Sequence, residues 1–340
     1  MLRRLTLTIG LLLAACGGGD AAPGVGGPVR TVAAPATVAG DPVRVADGPS
    51  AVAVGFGSVW VAGRDAGTVT RVDPRTGRPA LSAAFPKPLR AGRGPLAIAA
   101  GEGAVWVAAG DGTITRIDPA RGVARAVARV REPGGIAAGA GGVWVSSRVG
   151  ATLTRLDPAS GAPSGRPLRV GRAPGEVVVG GGSVWVADTA AGAVSRVDPV
   201  ALEPDGDPIR VGKEQVLALA YGDGAVWAAK TDRPAGQPIA VVRIDARSGD
   251  VDPKPIRITG GVPVELAAGG GDVWATDVGS PLPGSERPPR VLRLDPGARA
   301  LAGRPVRVGP NPAALAVSDG VVWVATAGNG ALTRITPPSR

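Results

Sequence analysis

Apolar residues fall along this chain in short runs, not in long one-sided stripes. The densest run is built around tryptophan, as in Val59-Trp60-Val61-Ala62, where every position is apolar. A run this short and this uniform predicts a strand buried on both faces. Upstream lies Ala51-Val52-Ala53-Val54-Gly55, a strand poor in bulk, and downstream lies Thr68-Val69-Thr70-Arg71-Val72-Asp73. A turn rich in Asp, Pro and Gly follows, as in Asp73-Pro74-Arg75-Thr76-Gly77, where proline presets φ and glycine accepts the left-handed position. A fourth short run reads Pro167-Leu168-Arg169-Val170, Pro208-Ile209-Arg210-Val211 or Pro305-Val306-Arg307-Val308. Its leading proline belongs at a strand start or a sheet edge, which predicts an outer strand.

This four-strand unit recurs. Trp60, Trp106, Trp144, Trp185, Trp227, Trp274 and Trp323 mark seven copies, spaced 38 to 49 residues apart. Eleven residues before each tryptophan stands Pro49, Pro95, Pro133, Pro174, Pro263 or Pro312, with Val216 as the exception. A unit of this size cannot bury its own apolar strands, so it must stack on copies of itself. The pattern predicts an all-β fold, a seven-bladed β-propeller of four-stranded antiparallel blades. The ends are complementary. The seventh unit stops at its third strand, Leu332-Thr333-Arg334-Ile335, while an orphan Pro42-Val43-Arg44-Val45 precedes the first inner strand. The N-terminal strand, at about 42–45, is therefore expected to join the last blade and close the ring.

Seven tryptophans in one register are expected to pack between blades. The third-strand pairs Arg71/Asp73, Arg116/Asp118, Arg155/Asp157, Arg196/Asp198, Arg243/Asp245 and Arg293/Asp295 are expected to be ion pairs or turn caps.

The unit Gly-x-Val-Trp-Val-Ala, followed by Arg-[Val/Ile/Leu]-Asp-Pro and glycine, resembles that of the YVTN/NHL-type seven-bladed propellers. That superfamily includes streptogramin B lyases and extracytoplasmic sensor or binding modules of bacteria. The resemblance covers residues 41–340 and speaks to blades, not to chemistry. In the lyases, catalysis depends on histidine and a bound magnesium ion near the central channel. This chain has no histidine. Ser-His-Asp and Cys-His systems are absent for the same reason, and any enzyme here has to work with carboxylates, lysine or Tyr221.

The N-terminus carries a different signal. Leu2-Arg3-Arg4 precedes an apolar stretch, Leu5 to Leu13, too short to span a bilayer, and Leu13-Ala14-Ala15-Cys16 resembles the bacterial lipobox. Residues 1–15 read as a lipoprotein signal peptide. Cys16, the single cysteine, reads as the lipidation site, and residues 16–40, rich in Gly, Ala and Pro, read as a tether. The expected address is extracytoplasmic, lipid-anchored to the bacterial cell membrane.

The formal charge is +10, but many arginines occupy one place in every repeat and are not clustered, and aromatic residues are 3% of the chain. That distribution predicts no nucleic-acid partner.

Function is expected where the repeat breaks. The gap from tryptophan to the third-strand arginine is 10 or 11 residues in five units, 16 in the fifth and 19 in the sixth, with Lys230 to Gln237 and Thr276 to Arg290 supplying the excess. Loops on that face mark the binding side. Two residues after the proline position, five units carry Ala or Gly, whereas the fourth and sixth carry Glu176 and Glu265. Facing the channel mouth, the pair would hold a divalent cation or receive a cationic ligand. Pointing between blades, each would meet an arginine. Arg172, Lys213, Lys230, Asp232 and Asp277 complete the candidate ligand-binding set. The expected function is binding of a protein, peptide or envelope polymer, without catalysis and without an obligate cofactor. The alternative is a metal-dependent lyase or hydrolase using the channel-mouth carboxylates.

Overall fold

Each blade begins at the axis of a ring and works outward. The computed structural model describes residues 35–80, 89–213, 215–231, 239–258, 265–280 and 287–338. Within them the fold is a β-propeller, all-β and without helices: seven antiparallel sheets of four strands arranged in a ring. Inner strands run Pro49–Gly55, Pro95–Gly101, Pro133–Gly139, Pro174–Gly180, Gln215–Gly222, Leu266–Gly269 and Pro312–Ser318. Each packs beside the next, and the last packs beside the first. In the first blade the hairpin into the tryptophan strand turns on Phe56 and Gly57, with φ of 54° and 66°. Two consecutive positive φ values match the right-handed strand twist.

The repeat residues hold the blades together. All seven tryptophans are buried, and each is paired in register with the third-strand arginine, for example Trp60 with Arg71 and Trp323 with Arg334. In five blades that guanidinium lies 5.3 to 5.9 Å from the indole centroid, close enough for cation–π attraction. The indole N–H of Trp60, Trp106, Trp144 and Trp185 donates to the carbonyl of the glycine that ends its own inner strand, at 3.0 to 3.1 Å. Removing such a ring costs about 3–5 kcal/mol.

The aspartates are turn caps. Asp118 accepts from the amides of Ala120 and Arg121, Asp198 from Val200 and Ala201, and Asp295 from Gly297 and Ala298. An ion pair within the Arg/Asp motif forms between Arg243 and Asp245, at 3.3 Å. Elsewhere the arginine finds other partners, such as Ser58 for Arg71 and Asp272 for Arg293.

The ring closes as the orphan strand predicts, with Val43 opposite Leu332 and Arg44 opposite Ala331. Pairing also begins earlier, inside the stretch read as tether: Thr37 and Val38 lie opposite Thr336 and Ile335. The reason is visible in other blades, whose outer strand comes in two pieces, as with Glu203–Pro204 and Ile209–Arg210. The N-terminal segment must supply both. It is also bonded to the first blade, since Thr70 Oγ1 donates to the Val45 carbonyl at 2.8 Å. The signal, Cys16 and the tether as far as residue 34 lie outside the described residues.

Candidate functional site

One edge of every inner strand has no strand partner and faces the axis. The start of the strand is bulged, with register slipping between Pro49 and Ala51 and at the equivalent places in the other long inner strands. The slip turns successive residues toward the axis. Together the seven strands line a central cavity of about 540 Å³. Most of the residues around it have small or apolar side chains, including Ala51, Ala97, Gly135 and Ala314 at the position two past the proline, although the surface left open to the cavity is mainly polar. Blades three and four approach so closely that a Cβ on Gly135 would stand 2.9 Å from Glu176 Cα. Glycine is required there by contact, not by φ.

Into this wall project Glu176 of blade four and Glu265 of blade six. Glu176 Oε2 accepts the Leu219 amide of blade five at 2.5 Å, satisfying a free strand edge. The two carboxyls lie within reach of each other in front of blade five. Carboxylates only accept, so a hydrogen bond between them requires a proton on one of the two. Burial is the main cause that pushes Glu176 up, to about 7, against the opposing pull of the Leu219 amide. Burial, then the neighbouring Glu176 charge, holds Glu265 well above the usual carboxylate range.

Two arginines complete the charged lining. Arg64 of blade one and Arg148 of blade three line the same cavity, each four residues past its tryptophan. The other blades carry Gly110, Thr189, Thr231, Val278 and Ala327 at that position. The arginines were not among the residues expected from sequence, although the same comparison of repeats that singles out Glu176 and Glu265 would have found them. The channel is thus electrically lopsided: cations on the arc of blades one to three, an acid pair on the arc of blades four to six.

The remaining candidates sit around this mouth or beneath it. Arg172 and Lys213 are exposed on successive crossings between blades, and Lys230 stands half-buried at the end of the fifth tryptophan strand, opposite Val216. They do not line the cavity. Asp277 is not a rim residue. It is fully buried and braces Arg290 at 2.8 Å and Arg287 at 3.6 Å. Those bonds fasten the base of the long sixth-blade loop, where Ser280 and Arg287 exchange backbone hydrogen bonds. The loop leaves directly beside the acid pair, because the Thr276 amide donates to the Glu265 carbonyl. Asp188, likewise buried, caps the amides of Arg172, Ala173 and Ala190. Asp232 lies outside the described residues. Among the described residues no group of three or more His, Cys, Asp or Glu side chains is placed to hold a metal ion.

No protein-family model matches the chain, and no curated protein matches it. Solved structures do. Hydrazine synthase from Kuenenia stuttgartiensis superposes with a TM-score of 0.72 at 14% identity, over 87% of this chain and 97% of that one. A catalytically inactive histidine-to-alanine variant of virginiamycin B lyase from Staphylococcus aureus, solved with quinupristin, gives 0.68 at 16% identity, over 88% and 99%. The Pan2 WD40 domain of Neurospora crassa gives 0.65 at 9%, over 86% and 90%. The chain shares a fold with all three. At these identities the likeness carries the fold alone.

Proposed function

We propose that this protein is a membrane-tethered, extracytoplasmic binding propeller that takes a protein, peptide or envelope ligand at its channel mouth without transforming it. The observation behind this reading is the convergence of the repeat's departures on one end of the ring. Glu176, Glu265, Arg64 and Arg148 meet in one cavity, and both enlarged loops spring from the strand ends around it. Repetition builds the scaffold, and function is grafted on by exceptions to it. The lipobox at Cys16 and the Gly/Ala/Pro stretch after it support the anchored address. The WD40 likeness supports a binding role by analogy of fold.

The test is a crosslinking capture from envelope extract with the full-length chain, run beside a variant with Glu176→Ala, Glu265→Ala, Arg64→Ala and Arg148→Ala. Capture that depends on these four residues supports the reading. Equal capture by both chains places recognition elsewhere and refutes it. The catalytic alternative rests on two carboxyls, Glu176 and Glu265, lining one cavity, where burial raises Glu176 to about 7, as suits a general acid. Mass spectrometry of the captured ligand decides: conversion by the parent chain and none by Glu176→Gln would establish catalysis.

A further inference from the structure

The lopsided charge of the channel narrows the ligand, given that it binds at this mouth. Among the described residues the ionisable side chains lining the cavity are Glu176, Glu265, Arg64, Arg148 and Tyr221. The acids come from blades four and six, the arginines from blades one and three, and blades two, five and seven add apolar wall, Leu96, Leu217 and Leu315 among it. A purely anionic ligand would meet the arginines but press against the acid pair. A purely cationic one would do the reverse. A ligand that carries both signs satisfies both arcs.

We infer that the central channel is a binding site for a small zwitterion, an ammonium group at one end seated on Glu176 and Glu265 and a carboxylate at the other seated on Arg64 and Arg148. The cavity, about 540 Å³, is of the size that small-molecule sites have, and it suits a short peptide with free termini. An ammonium offers three N–H donors to carboxylate oxygens, and a guanidinium offers a planar fork to the opposite end. Tyr221, near the C-terminal end of the fifth inner strand, adds an aromatic surface on the acid arc.

The acid end has a further property. Burial holds protons on both carboxyls, so an ammonium seated on two ionised acceptors displaces up to two protons, which leave to solvent. Binding is then coupled to proton release, and affinity climbs with pH until the empty pair has itself lost those protons.

The experiment is titration calorimetry of the full-length chain with trialanine, N-acetyl-trialanine, trialanine amide and 6-aminohexanoate. It is run at pH 6 and pH 8, in buffers of different ionisation enthalpy. Trialanine should bind, and capping its N-terminus should weaken it at least about thirtyfold, the factor that corresponds to about 2 kcal/mol for unpairing a charge in the half-buried acid pair. Capping its C-terminus, which faces the exposed Arg64 and Arg148, should weaken it by a smaller but measurable factor. Glu176→Gln should weaken trialanine and leave the N-acetyl form unaffected. Arg64→Ala with Arg148→Ala should show the same selectivity toward the amide. Proton release should fall in Glu176→Gln. Binding of 6-aminohexanoate at similar strength assigns the site to zwitterions in general. Its absence beside trialanine binding assigns it to peptides.

No binding of any probe by a chain that unfolds cooperatively, or binding indifferent to capping, overturns the inference. So does binding that Glu176→Gln leaves unchanged. Failure here together with ligand capture that depends on the four channel residues leaves the wider binding reading standing, and failure of both removes it.

Discussion

Replacing Glu176 with glutamine should make the protein more stable above neutral pH and should change it little at pH 5. The reasoning starts from the proton that burial holds on Glu176. In the unfolded chain Glu176 ionises near its ordinary 4.5, whereas the folded chain holds that proton to about 7. Across this window the native state binds more protons than the unfolded state, so stability falls as pH rises. At about 1.4 kcal/mol per pH unit the loss is about 3 kcal/mol for this group alone, and Glu265 extends the window upward. Glutamine keeps the geometry without the charge. Its carbonyl oxygen accepts the Leu219 amide, and its NH₂ donates to Glu265, which then ionises beside a neutral donor. The variant should match the parent within about 1 kcal/mol at pH 5, the worth of one altered neutral hydrogen bond. At pH 8 it should exceed it by about 2–3 kcal/mol. Urea unfolding between pH 5 and pH 9 reads this as diverging midpoints at constant slope. The capping aspartates do not confuse the result. Asp73, Asp118, Asp157, Asp198 and Asp245 are held below their ordinary value, chiefly by turn amides or, for Asp157, Ser160. Their contribution is present above about pH 3.8 and is lost only on acidification below it. Parallel stability curves for parent and variant would show that the buried carboxyl holds no proton, and the account of the channel would fall with them.

Three further outcomes are expected. A chain beginning at Asp47 lacks the segments that pair with Ala331–Thr336 and bares that strand's edge, so it should lose several kcal/mol and self-associate, seen by thermal unfolding and size-exclusion chromatography. Gly180→Ala should destabilise by about 1–3 kcal/mol because its Cβ would fall 2.2 Å from the Tyr221 ring, and Tyr221→Ala should remove most of that penalty in a double-mutant cycle by denaturation. Asp277→Asn leaves Arg287 and Arg290 without their buried anion, so stability should drop by about 3–5 kcal/mol, and hydrogen exchange should rise first in the backbone of Gly279, Ser280 and Arg287.

How much of this was legible before any coordinates differs by the kind of residue. The tryptophans announce the blades because one physical problem, covering the gap between neighbouring sheets, is solved seven times with the same side chain, and repetition is visible in a string of letters. The aspartate caps are legible for the same reason, and their arginines half so. Sequence shows that an arginine stands two residues before each aspartate. It does not show that the guanidinium prefers the indole face across the strand, since that depends on which third-strand residue lies opposite Trp60 or Trp106. The closing strand was legible as an orphan at Val43, but Thr37 and Val38 were not, because their stretch has tether-like composition and becomes strand only where an open edge waits for it.

The site obeys a different rule, which is why it was half seen. Glu176 and Glu265 stand out as carboxylates where alanine or glycine is usual, and the argument from broken repetition applied to them. Arg64 and Arg148 break the repeat just as clearly, but they fall in loops, where the chain varies anyway and an arginine looks like a solubilising residue. Asp277 misled in the opposite sense, since an aspartate in a long loop reads as exposed until two arginines from the far end of the same loop are seen to bury it. What separates these cases is closure of the ring. Residues of blades one, three, four and six are up to 201 positions apart in the chain, from Arg64 to Glu265, and only the circle brings them within one cavity. The charge asymmetry of that cavity is therefore a property of the arrangement of blades and not of any motif. A search for ligand chemistry in propellers of this kind has to compare each unit with its siblings at the positions that face the axis, loop ends included, before it consults the motifs that all the units share.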